Sequence, residues 1–315
     1  HSKRMLLKQY ARHFANIPHF RSRKVKGKCE DFKPRFLMWD FSQNRQGGYY
    51  FNEIPEEKPK VSVIVRTCGR PAVLRETLIS LRHQTYPNME VVVVEDGEDV
   101  SGKMIREEFG DMNIHYFATG EKVGRSRAGN LGMEKASGRY LNFLDDDDLF
   151  FADHVEVLVS QLIKGKNRAA YAFAFETPVE IHSRDPYEYT VKRYREVHTQ
   201  EFDKVTLCHH NYIPIQTIMF EKKLFEEFGG LDETLDALED WDLWVRYSLH
   251  TDFTCVKKTT SVYRVPHNRK INSERQKALD EALVVVRNKH KHYIQTVSVY
   301  DIAMMYEKRN SILPR

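Results

Sequence analysis

An α/β fold, with a mostly parallel, Rossmann-like central sheet between flanking helices, is what the 315 residues predict. Short β-branched runs alternate with stretches of helical periodicity in the order β-α-β-α-β-α-β. The run Tyr140 to Leu144 then delivers four carboxylates, Asp145 to Asp148, to the end of a strand that reads as buried. In open α/β sheets that end is where ligands bind.

The elements follow in order. Val61-Ser62-Val63-Ile64-Val65 reads as a first strand buried on both faces. Thr67-Cys68-Gly69-Arg70-Pro71 is a turn, with Pro71 suited to the first position of a helix. Leu74, Leu78 and Leu81 recur at helical spacing up to about His83. Val91 to Val94 form a second strand that ends in Glu95-Asp96-Gly97. A helix over 101–109 leads to a third strand, Ile114 to Phe117. A loop from Gly120 to Gly124 precedes a helix over 125–136 and then the strand that ends at Asp145. Right-handed crossovers put these strand ends on one rim, so Asp96 and the acidic run are expected to face one crevice.

Beyond Asp148 the pattern loosens. Val155, Leu158, Val159 and Leu162 mark a helix, and residues 169–175 a strand. Residues 176–212 are polar and aromatic without a clear period, the texture of a mobile loop facing substrate. Residues 221–228 read as a helix stopped by Gly229-Gly230. Glu239-Asp240 precede a helix over 241–249, Val262 to Val265 form a last strand, and 273–293 a charged amphipathic helix. The division expected is a basic N-terminal extension (1–58), a catalytic core (59–268) and a C-terminal helical segment (269–315). Pro55-Glu56-Glu57-Lys58-Pro59 marks the first boundary.

With 41% hydrophobic and 30% charged residues, the chain is globular rather than disordered. A formal net charge of only +4 gives no pointer to nucleic acid. The charge is uneven, with eleven Lys and Arg among residues 1–36 against Glu30 and Asp31. That segment suits peripheral contact with anionic lipid head groups or a polyanionic product, or else a solvated helical extension. Cys29, Cys68, Cys208 and Cys255 are scattered like reduced thiols, and the chain is expected in the cytoplasm or at the inner face of a membrane. No apolar stretch reaches the roughly 18–20 residues that span a bilayer. The chain begins at His1-Ser2, so it is read as part of a longer one.

Carboxylates packed as closely as Asp145 to Asp148 repel one another. A hard divalent cation, Mg²⁺ or Mn²⁺, shared with substrate phosphates offsets that repulsion. The plainer alternative is a helix cap or a solvated turn.

Taken in order, the motifs resemble the family 2 glycosyltransferases of GT-A fold over roughly Lys60 to Asn268. The resemblance is carried by Ser62-Val63-Ile64-Val65-Arg66-Thr67 with Arg70-Pro71, by Val94-Glu95-Asp96-Gly97, and by Gly124 with Asn130-Leu131-Gly132. It continues in Ala136-Ser137-Gly138-Arg139-Tyr140, in Phe143-Leu144 with the four aspartates, in Phe228 to Glu233, and in Glu239-Asp240-Trp241-Asp242-Leu243. Arg66, Gly69 and Gly129 stand where relatives commonly have proline, asparagine and arginine. A processive-synthase Gln-x-x-Arg-Trp signature is absent.

The resemblance implies a metal-dependent, inverting transfer of one sugar from a UDP- or dTDP-sugar to a carbohydrate or lipid-linked acceptor, such as a bacterial surface glycan. It implies metal ligation by Asp147, with Asp145 and His267 as further candidates. Thr67, Arg70, Asp96, Asn130, Asp145 and Asp146 are expected around the nucleotide-sugar, with Asp96 accepting from the base. Asp240 is expected as the general base with Glu239 beside it, and Arg264 as a phosphate neutraliser. Trp241 and Trp244 are candidates for an acceptor platform, or for core packing at helical spacing. Two rivals are a sugar-phosphate nucleotidyltransferase and a non-catalytic carbohydrate-binding or scaffold module of the same fold.

Overall fold

The computed structural model describes residues 58–293 together with 299, 300 and 303. The basic N-terminal extension, Cys29 and most of the segment after 293 lie outside the described residues.

Strand β1 (Val61–Thr67) is buried along its whole length. It pairs in parallel with β2 (Met89–Glu95) on one side and β4 (Tyr140–Asp145) on the other. Strand β3 (Ile114–Ala118) extends the parallel half beyond β2. Helix α1 (Pro71–Arg82) starts with Pro71 in its first turn and buries Leu74, Leu78 and Leu81. Helices α2 (Gly102–Glu108) and α3 (Arg125–Lys135) provide the next two crossovers.

After β4 come β5 (Leu149–Phe150) and α4 (His154–Lys164), then β6 (Ala169–Arg184), β7 (Tyr187–Val191), β8 (Arg195–His198) and α5 (Lys204–His209). Strand β9 (Ile218–Glu221), α6 (Lys222–Phe228), α7 (Glu239–Ser248), β10 (Phe253–Pro266) and α8 (Arg269–His290) complete the described chain. The sheet runs β3-β2-β1-β4-β9-β6-β10-β5, with β7 and β8 paired to β6. Strand β9 lies antiparallel between β4 and β6, and β6 is parallel to β10.

Alternation along β1 divides the core into two layers. Val61, Val63 and Val65 pack with Leu74 and Leu78 of α1 and with α4. Ile64 packs on the other face with Ala128 and Met133 of α3 and with Trp244 of α7. Helix α3 lies close to β1 because Gly132 has no side chain; a Cβ there would stand 2.4 Å from Ile64.

The loop expected over 176–212 is largely extended structure. The 16-residue β6 carries a hairpin with β7 and pairs with β8. Pro178 within β6 and the Arg184-Asp185-Pro186 corner interrupt the alternation that otherwise signals a strand. The last strand is also longer than its apolar core, 14 residues with two register shifts that blur its period.

His154 ties the layer under α1 and α4 together. Its Nε2 lies 2.9 Å from Asn142 Oδ1 on β4 and its Nδ1 2.7 Å from Thr260 Oγ1 on β10. The ring is fully buried and stacks on Phe150 at 3.7 Å. Burial without a counter-charge pushes its pKa down to about 3. His154 therefore keeps the NMR signature of a neutral imidazole from pH 8 to pH 4, with the assignment made by difference against H154Q. A resonance that titrates near pH 6.5 would show the ring to be solvated.

Candidate active site

The parallel register of β1 with β4 places Arg66 opposite Asp145, and that with β2 places Thr67 opposite Glu95. Asp96 donates its backbone N–H to Thr67 O at 2.7 Å, and Asp146 its own to Arg66 O at 3.2 Å. Asp96 and the acidic run thus flank the exit of one strand.

The period of two then separates the aspartates. Asp145 lies on the α3/α7 face, where Arg66 donates to both of its oxygens, Nε at 2.8 Å and Nη2 at 2.9 Å. Asp146 turns to the α1 face, fully buried, and accepts from Thr67 Oγ1 at 2.7 Å and from Arg70. Asp147 is 39% exposed and accepts from Arg70 Nη1 at 3.3 Å. Asp148 points inward and accepts the Arg264 backbone N–H at 2.8 Å. The Thr77 hydroxyl, 2.6 and 2.9 Å from the carbonyls of Asp146 and Asp148, fixes the turn from α1.

The environments set different acidities. Burial alone would raise Asp145, but the charge of Arg66 outweighs it and holds the carboxyl below the usual range. Burial lifts Asp146 to about 7, against Arg70 and with repulsion from Asp147. Asp148 is raised well above the usual range by burial and by Asp147.

On the other side of Arg66, α7 begins with Glu239 and Asp240. Glu239 is buried and accepts from Arg66 Nη1 at 2.9 Å. Asp240 accepts from Asn211 Nδ2 at 3.0 Å and from the Trp241 backbone N–H at 2.8 Å. Burial, then repulsion from Glu239, raises Asp240 to about 7. That value suits a proton acceptor at neutral pH.

Several expected site residues do other work. Trp241 and Trp244 are fully buried, and their indole N–H groups donate to Leu207 O at 2.6 Å and Ile213 O at 3.1 Å. Neither presents a face to an acceptor. Asn130 Nδ2 donates to Leu231 O at 2.9 Å and Glu233 Oε1 at 2.8 Å, while its Oδ1 accepts from Leu231 N at 2.8 Å. It clamps α3 to the 229–235 loop and is not directed at a nucleotide-sugar. His267 is exposed beyond β10 and joins no group with the aspartates. Among the described residues, no three His, Cys, Asp or Glu side chains form a metal-holding cluster. Arg264 instead pairs with Glu76 at 2.7 Å and Tyr189 Oη at 2.9 Å. Asp96 Oδ1 accepts the Val123 N–H at 2.6 Å, and both of its oxygens lie 3.2 Å from Gly124 N, which holds the loop before α3.

Two site residues carried no local signal. Asn211 meets Asp240 from 29 positions away. Arg66 was visible only as a charge inside an apolar strand, a position that demands partners once buried.

Asp147 is open to solvent, whereas both oxygens of Asp145 accept from Arg66. Mg²⁺ and Mn²⁺ beside nucleotides take one or two carboxylates and complete their shells with phosphate oxygens and water.

With this geometry, the sequence pattern of Glycosyl transferase family 2 matches residues 62–228, more than half of the chain, and the chain belongs to that family. It is 27% identical over 190 residues to an uncharacterized glycosyltransferase of Rickettsia typhi, covering 60% of this chain and 58% of that protein. The fold is of GT-A type. It is similar to mannosyltransferase PcManGT from Pyrobaculum calidifontis, solved with GDP-Man and Mn²⁺ (TM-score 0.60, 18% identity, 96% of this chain and 80% of that one). It is also similar to S. aureus TarS solved with UDP-GlcNAc (TM-score 0.55, 18% identity, 68% and 61%). Among the described residues, no helix is long and apolar enough to cross a membrane.

Asn130→Ala leaves the Leu231 amide and carbonyl without their partner, and each buried unsatisfied group costs about 1–3 kcal/mol. Urea unfolding should show a loss of that order with nucleotide affinity unchanged. A lost affinity with intact stability would return Asn130 to the ligand.

Proposed function

We propose that the chain is an inverting glycosyltransferase that moves one sugar from a UDP- or dTDP-sugar to a hydroxyl of a carbohydrate or lipid-linked acceptor. The observation that carries this is the bridge from Asp145 through Arg66 to Glu239, which sets Asp240, with its pKa raised to about 7, beside the aspartates at the end of β4.

The acceptor O–H gives its proton to Asp240 as its oxygen forms a bond to the anomeric carbon. The bond from that carbon to the diphosphate oxygen breaks, and its electron pair leaves with the nucleoside diphosphate. One base opposite the leaving group gives inversion. Asp147 and Asp145 would hold a Mg²⁺ or Mn²⁺ ion, which supplies Lewis-acid stabilisation of the leaving diphosphate. Arg70, 42% exposed beside Asp147, is placed to take up phosphate charge. Asp96, beside the exit of β1, borders the side assigned to the base of the nucleotide.

The reading is tested with a panel of UDP- and dTDP-sugars, following nucleoside diphosphate release with and without Mn²⁺. Asp240→Asn should lower turnover by about 10²-fold or more, the contribution of a general base, with UDP affinity retained. D147N should weaken Mn²⁺ activation. Protonation of Asp240 removes the base, so the rate should fall as pH drops below about 7. Asp146 titrates in the same window, so that limb belongs to both groups. Full turnover by D240N would end the assignment.

A further inference from the structure

Arg66 touches both halves of the site, and Arg125 Nη1 stands 4.0 Å from the same Glu239 oxygen. The Arg66 guanidinium, 7% exposed, donates twice to Asp145 on β4 and once to Glu239 on α7, at 2.8, 2.9 and 2.9 Å. Nη1 also lies 3.4 Å from Arg125 O at the start of α3, and the group stands 5.5 Å over the Phe143 ring. These partners lie 79 and 173 positions away in sequence.

Room for the group is left by α3. A Cβ on Gly129 would stand 3.5 Å from Arg66 Cδ and 2.6 Å from Leu231. A side chain there would meet Leu231 first, with the arginine stem at ordinary contact distance.

The start of α7 is held by Asn211 on Asp240, by Trp241 on Leu207 O and by Lys289 and His290 on Asp242. Only Glu239 among these groups faces the strand of Asp145, through Arg66. The α7 N-cap, Leu238, makes no side-chain cap and sits at φ 59°, the left-handed region, where it is the lone non-glycine residue among those described. That conformation costs a branched residue energy unless contacts around it compensate. The ion pair from Arg66 to Glu239, the first helical residue, anchors this turn from the direction of the donor.

We propose that Arg66 is a positioning residue for the transfer reaction: by bridging Asp145 and Glu239 it fixes the place of Asp240 relative to the donor. The inference rests on the reading of Asp240 as base. Only arginine fits the task. Its planar fork serves two carboxylates in fixed directions, whereas lysine offers a single point charge on a flexible stem.

Crystals and kinetics of the full chain test it together. In R66M the backbone of residues 238–240 should move away from its wild-type position. The kcat for diphosphate release from the best donor of the panel should fall more than tenfold, with the Kd of UDP in the presence of Mn²⁺ within threefold of wild type. R66K should recover part of the lost kcat. The double variant R66M/E239Q, which also removes the unpaired buried charge, should fold even where R66M does not. It should be no slower than E239Q or R66M, whichever is slower, because both act through one contact.

A kcat for R66M within tenfold of wild type overturns the inference. So does an unmoved α7 start, additive losses in the double variant, or a parallel collapse of UDP binding. If D240N is inactive while R66M is not, this inference alone fails. If D240N is fully active, the base assignment fails and the inference falls with it.

Discussion

The site depends on the pairing of β1 with β4. Both strands are buried, parallel and in fixed register, so Arg66 faces Asp145 without any choice of loop conformation. A slip of one residue would exchange the two faces of each strand and send Arg66 into the layer of Leu74 and Leu78. The helices on either side remove that freedom, because Val61, Val63 and Val65 have one apolar layer to fill and Ile64 the other. Chemistry at the rim is therefore fixed by packing in the interior. Removing one partner from a buried ion pair typically costs about 3–5 kcal/mol, since the survivor is left charged and dry. Arg66 has two carboxylate partners, Glu239 buried and Asp145 27% exposed, so its loss would leave Glu239 above all charged and dry.

Local environment gives five neighbouring carboxylates distinct character. Asp145, paired with Arg66, stays ionised below the usual range. Asp146 and Asp240 rise to about 7, and Asp148 higher still, because burial outweighs their neutral or cationic partners. Asp147 is left outermost, the most available to a cation and to phosphate. The proposed reaction, which binds a polyanion and accepts a proton, needs this division. Four equally ionised aspartates would repel the donor. A base as acidic as Asp145 would not take a proton at neutral pH.

Most of the architecture was legible because the signals are local and periodic. The runs at Val61, Val91 and Tyr140, the leucines of α1 and the glycines after α6 each declare an element within a dozen residues. The region over 176–212 did not, because Pro178 and the corner at Pro186 hide a strand whose order comes from pairing with β7, β8, β9 and β10. At the site, position along the chain located the aspartates and the Glu239-Asp240 pair, but burial decided what their neighbours do. Trp241 and Trp244 share helical spacing with Leu238 and Val245, and spacing cannot tell a platform from a core. Asn130 lies within a motif that invites a ligand role, and its three hydrogen bonds to the 231–233 segment appear only after α3 and that segment meet. Arg66 was the reverse case, a departure from pattern whose meaning lies 173 positions away.

Donor choice follows from a different level of structure. The two solved folds described above hold UDP-GlcNAc in one case and GDP-Man in the other. A shared sheet thus accommodates unlike bases and sugars, and selectivity must reside in side chains at the rim rather than in topology. In this chain the rim beside β2 is stiffened by Asp96, whose oxygens gather the amides of Val123 and Gly124. Gly124 adopts φ 93° there, a conformation that carries the chain into α3 and that a side chain would strain. The loop before α3 is therefore held in one shape before any nucleotide arrives.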